Sequence, residues 1–117
     1  MSIDFKLTKG IFLQIADNIC HRILEGKLNK GDRIPSVRDL AAEFEVNRNT
    51  VLRNCALLEE SGVFENRRGI GFFVSENAIE VIQKREREAF FRDDLPQFIH
   101  KVRLLRLNIS DLSELIT

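Results

Sequence analysis

The chain has 117 residues, of which 44% are hydrophobic and 31% are charged, and its 18 basic side chains balance its 18 acidic ones. This composition is typical of a globular protein and excludes general disorder. No apolar run approaches the ~20 residues that span a bilayer, and the N-terminus lacks a signal-peptide pattern, so we expect a cytoplasmic protein with no membrane partner. The neutral net charge lacks the basic excess of most DNA-binding proteins, so a nucleic-acid function has to depend on where the charges lie.

Neither the cysteines nor the histidines form a pattern that indicates chemistry. Cys20 and Cys55 fit no metal-binding or CxxC spacing, and both fall on apolar faces of predicted helices. We expect them to be buried as small hydrophobic side chains; a redox switch is the alternative. His21 and His100 are isolated, and no phosphate loop or nucleophile motif is present, so we expect neither an enzyme nor a metal or cofactor site.

The first predicted helix runs from about Lys9 to Glu25, and a glycine then stops it. Its apolar residues recur at the spacing of one helix face. They are Phe12, Ile15, Ala16, Ile19, Cys20, Ile23 and Leu24. Turn-forming residues follow at 27–32, and the segment 33–35 is predicted to be extended because its final proline disfavours a helical residue before it.

Two further helices with a short connection follow. The first begins after Ser36, whose hydroxyl can cap the helix, and ends near Glu45; the second begins after Asn47, another capping residue, and ends near Ser61. Two helices of this length joined by three or four residues form a helix-turn-helix. The second helix opens with side chains that can contact base edges and phosphates in a major groove. They are Asn47, Arg48, Asn49, Thr50 and Arg53.

A β-hairpin is predicted directly after the helix-turn-helix. Two β-favouring runs, 63–67 and 70–74, flank Gly69, which can adopt the positive φ of a tight turn. Arg67 and Arg68 lie at the predicted tip. A hairpin that carries arginines at this place is a wing, which reaches a minor groove or flanking phosphates.

The predicted fold class is mainly α with a small β-hairpin: a winged helix-turn-helix DNA-binding domain at 1–75, followed by an α-helical tail at 76–117. The composition changes at this boundary to a charged helical pattern. Three tail helices are predicted: one over about Asn77–Arg92, one capped by Asp94, and one over Asp111–Ile116 capped by Ser110.

An apolar stripe marks the tail. Its residues are Phe90, Leu95, Phe98, Ile99, Val102 and Leu105. A segment of this length cannot bury enough surface to be stable alone, so the stripe has to dock against the first domain or against a second copy of the chain. The alternating charges of 84–88 favour a solvated helix face over a nucleic-acid patch.

The stretch from about Ile11 to Val74 resembles the N-terminal domain of the GntR family of bacterial transcription regulators. The resemblance depends on several motifs that occur in the family's order and at its intervals. They are QIA at 14–16, GKL at 26–28, GDRIPSVRDLA at 31–41, VNRNTV at 46–51, LEESG at 58–62 and RGIGFFV at 68–74. The short helical tail resembles that of the YtrA branch, which implies that the tail serves dimerisation.

The resemblance also implies roles for single residues. Arg38 matches the family's operator-contacting arginine at the start of the second helix, Arg48 matches the arginine on the first turn of the recognition helix, and Gly69 matches the wing-tip glycine. The chain departs from the family at Leu52, where some members carry a DNA-contacting arginine, and at Asn54, where many carry alanine. We expect the basic residues just before the second helix (Lys27, Lys30 and Arg33) to be ordinary surface residues.

The sequence thus predicts a transcription regulator, acting as a repressor, that binds an inverted-repeat operator in double-stranded DNA as a homodimer. The alternative is a winged-helix protein-interaction module without sequence-specific DNA binding, and the neutral charge is its main support. Any one of these arginines, taken alone, is most simply interpreted as part of a solvated helix face. Taken together, the arginines of the helix-turn-helix and the wing favour contact with DNA. No convergent polar cluster identifies a small-molecule effector.

Overall fold

The structure is a computed structural model that describes residues 2–116, with side chains for residues 10–116. The helices are α1 (Ser2–Leu24), α2 (Val37–Phe44), α3 (Arg48–Glu60), α4 (Ala78–Ala89), α5 (Leu95–Leu104) and α6 (Ile109–Ile116). The strands β1 (Phe64–Arg67) and β2 (Gly71–Val74) form an antiparallel hairpin. A mainly helical chain with one hairpin, followed by a helical tail, confirms the predicted fold class.

The first helix differs from the prediction at its start. Helical residues extend back to Ser2, and the helix is interrupted at Gly10, where the backbone takes φ 79° and ψ 158°. Only glycine adopts this conformation without steric cost, so the break falls at the residue that tolerates it. Beyond the break, Ile15, Ile19 and Ile23 are buried as the predicted stripe requires.

The core of the first unit lies between α1, α2, α3 and the hairpin, and α3 is central because it packs against α1, α2 and β1. Both cysteines are buried in this core, which confirms their predicted packing. The members of this core include Ile15, Ile19, Ile23, Ile34, Leu40, Val51, Leu58, Val63, Phe64, Val74 and Ile82.

The chain forms two compact units that divide between Gln83 and Lys84. This division lies later than the predicted one after Ser75, because Ala78 and Ile82 on α4 are buried with the first core. The start of α4 therefore belongs to the packing of the winged helix, while the functional division into DNA-binding domain and tail stays a prediction.

The predicted break before the second tail helix is wrong. Asp94 has helical backbone angles and makes no capping hydrogen bond. Residues Phe90–Asp94 instead form a π-helical segment that joins α4 to α5, and the N–H of Leu95 donates to the carbonyl of Phe90. Pro96 explains this local widening, since a proline ring clashes with the carbonyl four residues earlier in a regular α-helix.

The cap of the last helix also differs from the prediction. The helix α6 begins at Ile109, so Ser110 lies inside it. The backbone N–H of Asn108 donates to the Asp111 carboxylate at 2.9 Å, and the N–H of Asp111 donates to the Asn108 carbonyl at 3.0 Å. This pairing is the carboxylate half of a capping box, shifted two residues before the predicted cap.

Burial raises the pKa of the Cys55 thiol from 9.0 to about 11. The folded protein holds the thiol proton more tightly than the unfolded chain does. The protonated thiol therefore contributes its full stabilisation of the folded state below about pH 9, and this contribution is lost as the pH rises towards 11. Between pH 8 and about pH 10.5, we expect the free energy of unfolding of the wild type to fall by on the order of 2 kcal/mol more than that of Cys55→Ala. Urea unfolding at both pH values measures the difference, and a difference that does not change with pH would contradict the assignment.

Candidate nucleic-acid interface

The connection between α2 and α3 fixes the angle at which α3 is presented. Ser36 Oγ accepts from the N–H of Asp39 at 3.0 Å and starts α2. At its end, Glu45 takes a left-handed conformation (φ 55°), and the N–H of Val46 donates to the carbonyl of Ala41 at 3.0 Å. These are features of a Schellman stop, which turns the chain within three residues. Asn47 Oδ1 then accepts from the N–H of Asn49 at 2.7 Å and starts α3, so both predicted caps are confirmed.

The two faces of α3 differ sharply. The inward face carries Val51, Asn54, Cys55 and Leu58, all of which are buried. The outward face carries Arg48, Asn49, Leu52 and Arg53, all of which are exposed. Thr50 lies between the faces and is half-buried. The predicted contact residues of this helix are thus brought together on one accessible surface.

Two of the predicted arginines have their donors available. Arg38 and Arg48 are exposed, and neither makes an ion pair or hydrogen bond with any side chain described between residues 10 and 116. A guanidinium in this state can fork onto two acceptors of a ligand at once. Arg53 is placed differently, because its guanidinium carbon lies 5.0 Å from the ring centre of Phe12 on α1.

The hairpin is built as predicted, with Phe64 opposite Val74 and Arg67 opposite Gly71. The N–H of Ile70 donates to the carbonyl of Arg67 at 2.9 Å, and Gly69 takes φ +75° within this turn. A β-carbon at Gly69 would meet no atom within 4 Å, so the glycine is required by the backbone conformation rather than by space.

The two arginines of the wing are not equivalent. The guanidinium carbon of Arg67 lies 4.0 Å from the ring centre of Phe73, and a terminal nitrogen lies 3.9 Å from the Glu65 carboxylate. Arg68 lies in the turn and is exposed, with no such partner in the described part of the chain. Arg68 is therefore the wing arginine whose guanidinium is exposed to solvent and available to a ligand.

Arg33, predicted to be ordinary surface, supports the wing. Its Nη2 donates to the carbonyl of Ile70 at 2.6 Å, and its Nε lies 3.4 Å from the place where a β-carbon of Gly71 would stand. The backbone beside it is bonded to β2, since the N–H of Ile34 donates to the carbonyl of Phe72 at 2.8 Å. No sequence pattern links positions 33 and 70, so the support could not be found before the fold was known.

Replacing Arg33 with alanine is expected to loosen the wing turn. The loss of a charged donor to a backbone carbonyl should speed amide exchange at residues 67–71 by about fivefold, which corresponds to ~1 kcal/mol. Hydrogen–deuterium exchange measures this directly. Lys30→Ala, which removes an exposed cation from the same connection, is the control. Equal exchange in both variants would contradict the supporting role.

The comparison with known proteins agrees with this geometry. Residues 12–74, which include α2, α3 and the wing, match the model of the bacterial regulatory proteins of the gntR family. This chain belongs to the GntR family. The chain is 36% identical over 114 residues to the HTH-type transcriptional regulator YhcF of Bacillus subtilis strain 168, an alignment that covers 97% of this chain and 93% of YhcF.

Two other similarities extend the comparison for this GntR-family regulator. It is 38% identical over 78 residues to the HTH-type transcriptional repressor YtrA of Bacillus subtilis, covering 67% of this chain and 60% of YtrA. A crystal structure of a GntR-family regulator from Bacteroides thetaiotaomicron aligns with a TM-score of 0.70 at 37% identity and covers 92% of this chain and 93% of that one. The predicted family membership is confirmed, and the protein is a transcriptional regulator with a DNA-binding helix-turn-helix.

One departure from the family concerns the core rather than the surface of the regulator. Asn54 has no exposed surface; its Nδ2 donates to the carbonyl of Thr50 at 3.0 Å, and its Oδ1 has no partner among the described residues. A side chain in this position cannot contact a base. Of the two departures, only Leu52 lies on the outward face of α3.

Other classes of site find no support in the part of the regulator that is described. Over residues 2–116, no helix is both long and apolar enough to cross a membrane. Within the same range, no three histidine, cysteine or acidic side chains are grouped so that they could hold a metal ion. The candidate site consists of the outward face of α3, Arg38 and the wing, whose predicted contact residues are exposed or half-buried.

Proposed function

We propose that this GntR-family regulator is a homodimeric repressor of the YtrA type that binds an inverted-repeat operator with α3 in the major groove. The observation that carries the proposal is the outward face of α3, where Arg48 is exposed one residue after the Asn47 cap and pairs with no side chain that the structure describes. An N-terminal helix turn with free donors suits both guanine acceptors and phosphates.

Each of the surrounding side chains is assigned a role by its chemistry. Arg48 and Asn49 contact base edges, because both are exposed on the first turn of α3. Thr50 is half-buried, so its hydroxyl is assigned to a phosphate. The Nδ2 group of Asn47 is assigned to a phosphate as well, since the cap uses only Oδ1. Arg53 is held beside Phe12 and is assigned to a phosphate at the edge of the groove.

Arg38 and the wing extend the footprint beyond α3. Arg38 is exposed on the first turn of α2, where it can clamp a phosphate next to the recognition helix. Arg68 projects from the wing turn and Gly69 lets the backbone come close, so this end of the hairpin is assigned to the minor groove. Arg67 reinforces the hairpin through Phe73 and adds positive charge behind the tip.

The tail supplies the dimer. No side chain described between Lys84 and Ile116 is buried, although many of them are large and apolar. Phe98 is 47% exposed and Leu105 is 67% exposed. Packing against a second copy of the tail would bury this surface, and each Å² of apolar surface buried contributes ~25 cal/mol of stabilisation. The repressor role is supported by the similarity to YtrA, which is named a repressor.

Selection from random duplex DNA tests the proposal. We expect the full-length protein to enrich an inverted repeat whose half-sites lie one helical turn, about 34 Å, or a multiple apart. Binding to it should weaken by on the order of 10³-fold between 50 and 200 mM salt if six or more phosphates are contacted. Enrichment of no repeated sequence, with weak binding that is insensitive to salt, would favour the protein-interaction module instead.

A further inference from the structure

Leu52 is a large apolar side chain on the surface assigned to DNA. It is 46% exposed in the second turn of α3, although α3 is otherwise packed against three elements of the core. It lies four residues after Arg48 and three after Asn49, spacings that place all three side chains on one helix face. No described residue covers this part of the side chain, so its contact has to come from a ligand or it remains in water.

The chemistry of the major groove offers one apolar group to such a side chain. Base edges there present hydrogen-bond donors and acceptors, and the exception is the C5 methyl group of thymine. Leucine has neither donor nor acceptor, so a polar base edge beneath it would lose its hydration without a new hydrogen bond. A thymine methyl group has no hydrogen bond to water that it could lose, and it gains contact with the isobutyl group of Leu52.

We propose that Leu52 packs on the C5 methyl group of a thymine in each operator half-site and so determines the base at that position. The inference depends on the proposed function, because it requires α3 to lie in the major groove. The base pair concerned lies next to those contacted by Arg48 and Asn49, since Leu52 is one turn further along the same face.

Deoxyuridine isolates this contact, because it pairs as thymine does and lacks only the methyl group. Each thymine of the selected operator is replaced in both half-sites together, and the affinity of the full-length protein is measured by fluorescence anisotropy. For the wild type we expect one symmetric position at which affinity falls about fourfold per half-site, the gain expected from burial of one methyl group. For Leu52→Ala that loss should shrink to less than twofold, whereas Leu52→Met, which keeps an apolar end, should retain most of it.

Leu13→Ala is the matched control, since it shortens a leucine of similar exposure on α1, outside the proposed contact surface. This variant should lose as much affinity as the wild type when deoxyuridine replaces the sensitive thymine. The inference is overturned if no thymine position is sensitive, or if the sensitive position loses as much affinity in Leu52→Ala as in the wild type. Selection that enriches no operator would instead overturn the proposed function, and the inference with it; an operator bound normally but indifferent to the methyl group overturns the inference alone.

Discussion

Replacing Arg48 with alanine is expected to lower affinity for the selected operator by about 1–3 kcal/mol per half-site, which is roughly 5–150-fold. The guanidinium is exposed on the first turn of α3 and has no partner in the described protein, so its removal costs no folding contact. The lost free energy is that of two charge-assisted hydrogen bonds to a base or phosphate. Anisotropy titration of wild type and variant at fixed salt measures the loss.

Two further variants separate base contact from simple charge. Arg48→Lys keeps the charge but lacks the planar fork, so it should recover non-specific binding without recovering discrimination between operator and mutated operator. Arg87→Ala removes an exposed arginine of α4 that is not part of the proposed surface, and it should bind as the wild type does. An Arg48→Ala protein that remains folded and binds the operator with wild-type affinity would show that α3 is not the recognition helix.

Placing aspartate at both Phe98 and Val102 is expected to convert the proposed dimer into monomers. The two residues are one turn apart on α5, and Phe98 is about half exposed in the single chain. Charges in the centre of an apolar interface would have to be desolvated without partners, which costs several kcal/mol. Because a monomer engages only one half-site, operator affinity should fall by ~10² or more.

Light scattering coupled to size-exclusion chromatography measures the mass. The matched control places aspartate at Gln97 and His100, which are exposed on the opposite side of α5, and should remain a dimer. If the Phe98 and Val102 variant keeps the dimer mass, another surface holds the subunits together. If it becomes monomeric and still binds the full operator as tightly as the wild type, the two-fold recognition proposed above is wrong.

The helix-turn-helix and the wing could be predicted because their determinants are local. Ser36 and Asn47 are capping residues whose side chains satisfy backbone N–H groups within three positions, and both perform this role in the structure. The β-hairpin follows from two β-favouring runs around Gly69, which has the positive φ that the turn requires. In each case the residues that specify the element are next to it in the sequence.

The tail was predicted less well because competing local signals were close together. Asp94 is a good capping residue, but Pro96 is tolerated without a break when the helix widens into a π turn at Phe90–Asp94. Asn108 and Ser110 are both capping residues, and the carboxylate of Asp111 favours Asn108 by accepting from its N–H. Such choices depend on hydrogen-bond geometry that residue type alone does not specify.

The outward face of α3 could be predicted from helical spacing, but its surroundings could not. The support of the wing by Arg33 joins residues 37 positions apart, and the stacking of Arg53 on Phe12 joins α3 to α1. Asn54 and Leu52 are only two residues apart, yet burial removes the first from the candidate site and exposure keeps the second in it. Long-range packing decides these cases.

Methylation interference on the selected operator tests the central claim most directly, since it probes guanine N7 in the major groove. Binding of the full-length protein should be blocked by methylation at two symmetric clusters, one in each half-site and about one helical turn or a multiple apart. Unimpaired binding to DNA methylated at every guanine, or a single cluster without a symmetric counterpart, would contradict two symmetry-related copies of α3 lying in the major groove.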